Sequence, residues 1–417
     1  MKSNSVKATA AIVSMILAGS AVAAGKPLVS STATLAKASN EAALENLLSS
    51  ASTGNVRLVK VDATAVDEPQ IEIELDGRVF TANRNKVERT ETGDTVWYGN
   101  FGPRISAKTL SGVDPLNSAI LVRSGDTVTG TLRSNGKLYR VRPLPGGEHA
   151  IVEVDESRLP AEHPHDYNRL PTIRMTAPAP TDDGRVGALG IPPGPTATIR
   201  VMVVATNQAV AAYGGNMQSL IQLAVAESNQ GYVNSNVGIN LVLASYSTTS
   251  YTESGNFSTD LARFRGTSDG YMDSIHTTRN SSAADVGVII LNNSSYCGLA
   301  SGIGSTAATA FASVYWDCAT GYYSFAHEIG HLQSARHDPA TDPSTSPYAY
   351  GHGYRYQPAT GTRWRTIMAY NCSPSCTRLN YWSNPSISYG GVPMGTATQS
   401  DNQRVLVNTK ATVAGFR

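Results

Sequence analysis

Cysteine is scarce in this chain and confined to its second half, none preceding Cys297. The first half therefore offers no thiolate to a metal and no disulfide framework. Lysine is as unevenly placed, since only Lys410 follows Lys137. With a formal net charge of +1 over 417 residues and no basic block, the chain lacks the electrostatic footprint of a polyanion binder, which excludes nucleic acid as an expected partner. Long apolar runs are missing too. Ala8–Ala18 falls short of the roughly 20 residues that a spanning helix needs, and no later segment reaches that length, so no membrane partner is expected. The C-terminus carries no glycine-rich calcium-binding repeat array, and calcium stays an open cofactor without a located site.

The texture of what is there divides the chain. Lys2 and Lys7 precede the short apolar run, and Ala21-Val22-Ala23-Ala24 follows it, the pattern of a signal peptide over 1–24 and of an exported, secreted protein. Four cysteines then read as two disulfides. Of the three connectivities the sequence-local pairing is expected, Cys297 with Cys318 and Cys372 with Cys376. Residues 25–175 read as a mainly β domain after a helical stretch near Ala42–Leu48. Ile71, Ile73 and Leu75 alternate with Glu72 and Glu74 up to the hairpin cue Asp76-Gly77, and Ser134-Asn135-Gly136 separates two further strands. Residues 176–196 lose all periodicity in favour of Pro and Gly and read as a linker.

From 197 to 417 the pattern is mixed. Ile199–Val204, Ile239–Leu243 and Val286–Leu291 read as strands, Phe311–Trp316 as an edge strand, and Met217–Val225 has helical spacing. Asp401 is the expected N-cap of a last helix. Within this unit stands His327-Glu328-Ile329-Gly330-His331, followed by His337. Residues four apart share a helix face, so His327 and His331 can address one ion. A third ligand must come from beyond a turn, which is where His337 lies. Three neutral imidazoles describe an open, catalytic zinc site better than a closed structural one. Glu328, one step round the helix, suits a general base.

Together with Met368 in Thr366-Ile367-Met368-Ala369-Tyr370, this motif resembles that of the metzincin clan of zinc endopeptidases. The run Ser324–Asp338 is most similar to that of the bacterial peptidyl-Asp metalloendopeptidases, with Ser334 where the wider clan has glycine and Ala335-Arg336 before the third histidine. The resemblance covers roughly the second half of the chain. It implies an α+β metzincin-like peptidase domain: a twisted mixed sheet, two long helices and a Met-turn subdomain around Met368. It implies one zinc ion on His327, His331 and His337, with Glu328 as base and Tyr370 approaching the metal. It also implies polypeptide substrates cut on the amino side of Asp.

Acidic preference requires a cation, and Arg363, Arg365 and Arg378 are the candidates near Met368, with Arg336 behind the motif. Asp338 would brace the loop. His163 and His165 could bind a metal but are expected to belong to a polar loop, and a carboxylate (Asp155, Glu156 or Asp166) is the candidate for blocking the metal in a precursor. A β domain, a linker and a peptidase in series imply a zymogen, with Asp182-Asp183 in the linker as a self-cleavage site and a monomeric product. The alternative is an inactive metzincin scaffold used for binding or adhesion. The intact Glu328 argues against it.

Overall fold

Alternation decides the N-terminal half. Along the strand Gln70–Leu75, Ile71, Ile73 and Leu75 are buried while Gln70, Glu72 and Glu74 are only half-covered, as a period of two requires of a strand with one face inward. The next strand, Arg78–Arg89, pairs antiparallel with it across Asp76 and Gly77, whose φ values of 49° and 73° are those of a tight two-residue hairpin turn. Asn135 and Gly136, at 51° and 83°, make the second expected turn in the same way. The computed structural model of the protein describes residues 25–32, 41–102, 114–164, 167, 170–173, 175 and 192–417. The expected leader 1–24, the acidic pair Asp182-Asp183, His165 and Asp166 lie outside the described residues.

Among these, ten strands between Lys26 and Val154 form one sheet. Its two ends are supplied by adjacent pieces of chain. Lys26–Pro27 pairs with Gln70–Leu75, and Val29–Thr32 pairs with Thr53–Val61. Leu28 lies between them, fully buried, donating its N–H to Glu72 and accepting from Asp62. The sheet thereby has its edges stitched together instead of exposed, which removes two templates for aggregation. The helix Glu41–Ser49 confirms the expected stretch.

The second unit holds a five-stranded sheet in the order 239–249, 197–206, 286–291, 311–315, 298–300. The first four strands are parallel and Gly298–Ala300 is antiparallel. The fold class is α+β, as expected. One detail is corrected: Phe311–Tyr315 is an interior strand, and the edge is the short Gly298–Ala300, whose length and glycine hid it from a periodicity reading. The two expected long helices are also corrected: among the described residues one is long, and the C-terminal Asn402–Val413 has 12 residues. Met217–Asn234 has 18 residues, but Ser324–Leu332, which carries the histidines, has only nine.

Met217–Asn234 is buried on both sides for a reason visible in its partners. Leu220, Ile221, Ala224 and Val225 join the core of their own sheet, while Leu223 and Ala226 pack on Val96, Tyr98, Ile120 and Val122 of the ten-stranded sheet. The two units are further tied by buried polar contacts. Arg133, wholly buried, donates to Glu156 at 2.8 Å and to the Gly321 carbonyl at 2.7 Å, just ahead of the histidine helix. Ser52 donates to Asp317 at 2.6 Å, and Arg140 pairs with the same carboxylate. Both expected disulfides form, Cys297–Cys318 and Cys372–Cys376.

Candidate metal centre and active site

The histidine helix is buried along its whole length, so its placement depends on what it can lie against. A Cβ on Gly330 would stand 2.6 Å from the Trp382 ring and 3.1 Å from the Met368 sulfur. Only glycine lets the helix settle onto that floor, and Met368 is therefore directly beneath the motif. His327 and His331 leave the same face one turn apart. The chain then reverses at Ser334, whose φ of 77° is the left-handed conformation expected there, and returns His337.

The Nε2 atoms of His327 and His331 each stand 3.1 Å from that of His337. Outward nitrogens hold the rings in place: His327 Nδ1 donates to the Ile367 carbonyl and His331 Nδ1 to that of Ala335, both at 2.8 Å. His352 is buried and supports His337, donating to its backbone carbonyl at 2.8 Å. Burial pushes all three imidazoles well below the usual histidine range. They are thus neutral at pH 7, the form a metal requires.

Ser334 adopts this conformation at a cost of about 1–2 kcal/mol, and its buried hydroxyl has no hydrogen-bond partner. Ser334→Gly is therefore expected to raise stability by about 0.5–1 kcal/mol after the entropy of glycine is deducted. The denaturant midpoint checks it. A lower midpoint would show that the hydroxyl contributes more than the strain costs.

Glu328 is fully buried beside the histidines; its Oε1 stands 3.0 Å from His163 Nε2, and its Oε2 has no hydrogen-bond partner. Burial raises its carboxyl above the usual range, while His163 beside it pulls the other way. The edge strand comes close enough that a Cβ on Gly298 would stand 2.5 Å from Oε1. Tyr370 places its ring centroid 4.5 Å from that of His337 and donates its backbone N–H to Asp338 at 3.0 Å. Asp338 in turn pairs with Arg355 and so ties the loop down, as expected of it.

Of the candidate arginines, the structure brings two together and leaves the others apart. Arg378 donates to both oxygens of Glu162, at 3.0 and 3.2 Å, and Arg365 reaches the same carboxylate at 3.4 Å. Burial alone would raise the Glu162 carboxyl, but Arg378 and Arg365 outweigh it and hold it below its ordinary value. Arg378 also donates through Nε to the Ile367 carbonyl at 2.9 Å, the carbonyl that orients His327. Arg363 instead bonds the Pro358 and Ser373 carbonyls, and Arg336 pairs with Asp342. Neither joins the pocket.

The reading of His163 as a loop residue is corrected. It is buried, and with His327, His331 and His337 it forms a group whose ligand atoms all lie within 4.8 Å of one another. Its Nδ1 is 3.2 Å from the Tyr370 hydroxyl and its Nε2 is 3.0 Å from Glu328 Oε1. No local pattern marks it out, since its partners lie more than 160 residues away.

The buried, neutral imidazoles of His327, His331 and His337, the first two with their outward nitrogens satisfied, fit a metal ion, and the Glu328 carboxylate is buried beside them. Mixed sheet, histidine helix and buried carboxylate together define a metallopeptidase. The family model of the family M12 metallo-peptidases (Reprolysin_5) matches residues 195–383, the second unit. A peptidyl-Asp metalloendopeptidase of Xanthomonas campestris is 67% identical over 426 residues, covering 100% of both chains. Another, of Stenotrophomonas maltophilia K279a, is 69% identical over 92% of this chain and 91% of its own. One of Pseudomonas fragi is 64% identical, matched along its whole length by 46% of this chain. The chain belongs to the peptidyl-Asp metalloendopeptidase family and is a metalloendopeptidase.

Proposed function

We propose that the chain is the secreted precursor of a zinc endopeptidase that cleaves polypeptides on the amino side of aspartate. The observation that carries the acidic preference is the Glu162 carboxylate, buried between Arg378 and Arg365 next to the orienting partner of His327. A pocket that compensates a buried carboxylate this fully is built for one, because two guanidinium groups left without an anion would pay for their desolvation. The names of the relatives, peptidyl-Asp metalloendopeptidases, point the same way.

In this reading His327, His331 and His337 hold the zinc, which when bound supplies Lewis acidity toward the scissile carbonyl and lowers the pKa of water. Glu328 takes the proton from the attacking water and delivers it to the leaving nitrogen. Its raised carboxyl pKa suits both halves of that transfer. The Tyr370 hydroxyl, poised at the rim of the histidines, donates to the developing oxyanion. Arg378 grips the substrate aspartate on the far side of the cut bond. Residues 25–175 are the propeptide and 176–196 the linker in which the enzyme cuts itself, at Asp182-Asp183.

The test uses processed enzyme and two peptides identical except for Asp or Asn after the scissile bond. The Asp peptide should be favoured by about a hundredfold or more in kcat/KM, with activity lost to a chelator and restored by zinc. Equal rates for both peptides would overturn the specificity. Activity indifferent to chelation would overturn the mechanism, and a processed protein that holds zinc and cuts neither peptide would favour an inactive scaffold.

A further inference from the structure

The propeptide enters the active site by a route that neither blocks it at random nor offers itself for cutting. Ala161 and Glu162 lie along the start of the edge strand, their carbonyls accepting from the N–H groups of Cys297 at 2.8 Å and Gly298 at 3.1 Å. Farther on, Thr172 bridges to Ile303 in parallel. Between these two anchors three of the described side chains point inward. Glu162 fills the arginine pocket, His163 stands over the three histidines, and Tyr167 lays its ring 4.0 Å from that of His337. Each is buried.

We propose that Glu162-His163 is an internal pseudo-substrate, with His163 as the fourth protein ligand of the metal and Glu162 as the occupant of the aspartate pocket. This rests on the zinc-endopeptidase reading above. Three observations converge on it. The first is the four-histidine group itself. The second is chemical: both ring nitrogens of the buried His163 face catalytic groups, Nε2 standing 3.0 Å from Glu328 Oε1 and Nδ1 3.2 Å from the Tyr370 hydroxyl. A ring held between these groups lies where a metal in the same cluster would reach it. The third is the direction of the peptide groups. The Glu162 carbonyl is spent on Gly298, so the bond after Glu162 turns toward the strand and a side chain, not a carbonyl, faces the histidines.

Four imidazoles would complete a four-ligand set and leave no open position, which is the arrangement of a closed site. His163 also stands 3.0 Å from Glu328, so the ring fills the space between the histidines and the base that an attacking water would need. Glu162 adds selectivity to the block. It anchors the plug in the one pocket that a substrate must enter, so the plug and an Asp-containing substrate exclude each other. Latency in this chain therefore needs no cysteine and, contrary to the sequence expectation, no carboxylate on the metal. Removing the segment restores the open position and empties the pocket in one step.

The test uses the full-length chain carrying Glu328→Ala, which prevents self-cutting, loaded with cobalt in place of zinc. Three versions are compared: His163 intact, His163→Ala and His163→Cys, with circular dichroism confirming that each is folded. With His163 intact, the cobalt spectrum should be that of a four-nitrogen tetrahedral site and should not change on adding acetohydroxamate. His163→Ala should give a spectrum that shifts on adding the hydroxamate, and should lose metal to a chelator at least about tenfold faster. His163→Cys should gain a thiolate-to-cobalt charge-transfer band in the near ultraviolet, which requires residue 163 to touch the metal. Should the intact protein bind hydroxamate as readily as His163→Ala, and the cysteine give no band, the pseudo-substrate is refuted while the metallopeptidase reading stands. Failure of all three to take up one cobalt per chain would overturn both.

Discussion

Processed enzyme carrying Glu328→Ala is expected to lose a factor of about 10³ to 10⁴ in kcat while keeping its zinc and most of its affinity for substrate. The magnitude is the upper part of what a positioned general base and acid contributes. The reason to place it there is environmental. Glu328 is fully buried, its Oε2 has no hydrogen-bond partner, its Oε1 meets His163 of the proposed propeptide at 3.0 Å, and burial pushes its carboxyl upward. A group so arranged is held ready for one proton and is not spent on structure. Zinc is retained because the carboxylate is no part of the triple-imidazole set. Metal analysis therefore separates the roles: zinc lost along with activity would make Glu328 a ligand or a fold determinant. Under the proposed self-processing at Asp182-Asp183, which would need the same base, the same substitution should leave the chain at full length.

The second large effect falls on selectivity. Arg378→Met should cut the preference for Asp over Asn by about 10² to 10³, because two charge-assisted hydrogen bonds of roughly 1.5–3 kcal/mol each are lost. Absolute rates will fall for both peptides, since Arg378 also bonds the Ile367 carbonyl that orients His327. The ratio of the two kcat/KM values is hence the informative readout. A purely structural role would lower both alike and leave the ratio untouched. Arg378→Lys should restore part of the preference by charge, without the planar fork. Arg363→Ala should change neither rate nor ratio, its bonds being to Pro358 and Ser373.

What the sequence made legible follows from how local each determinant is. Three histidines and a glutamate within one helix and one turn are a local code, and so are the alternation of Ile71, Ile73 and Leu75 and the turn pairs Asp76-Gly77 and Asn135-Gly136. Both disulfides close short loops, and the structure bears them out. The determinants that escaped are the long-range ones. His163 meets the other histidines only because Cys297 and Gly298 hold Ala161 and Glu162 against the edge strand. Glu162 meets Arg378 over 216 positions of sequence. The edge strand was misassigned because three residues, one of them glycine, carry no periodic signal, and the five-residue strand Phe311–Tyr315 drew the assignment instead. Gly330 had a visible place in the motif, yet its reason, the Trp382 ring and the Met368 sulfur beneath it, exists only in three dimensions.

The measurement that reaches the central claim most directly is digestion of a denatured protein by zinc-loaded processed enzyme, with every new N-terminus identified by mass spectrometry. Glu328→Ala runs alongside. New termini that begin with Asp, absent from the Glu328→Ala digest, are the predicted result and would establish peptidase, base and specificity together. New termini spread over unrelated residues, or an identical set from both proteins, would contradict the account.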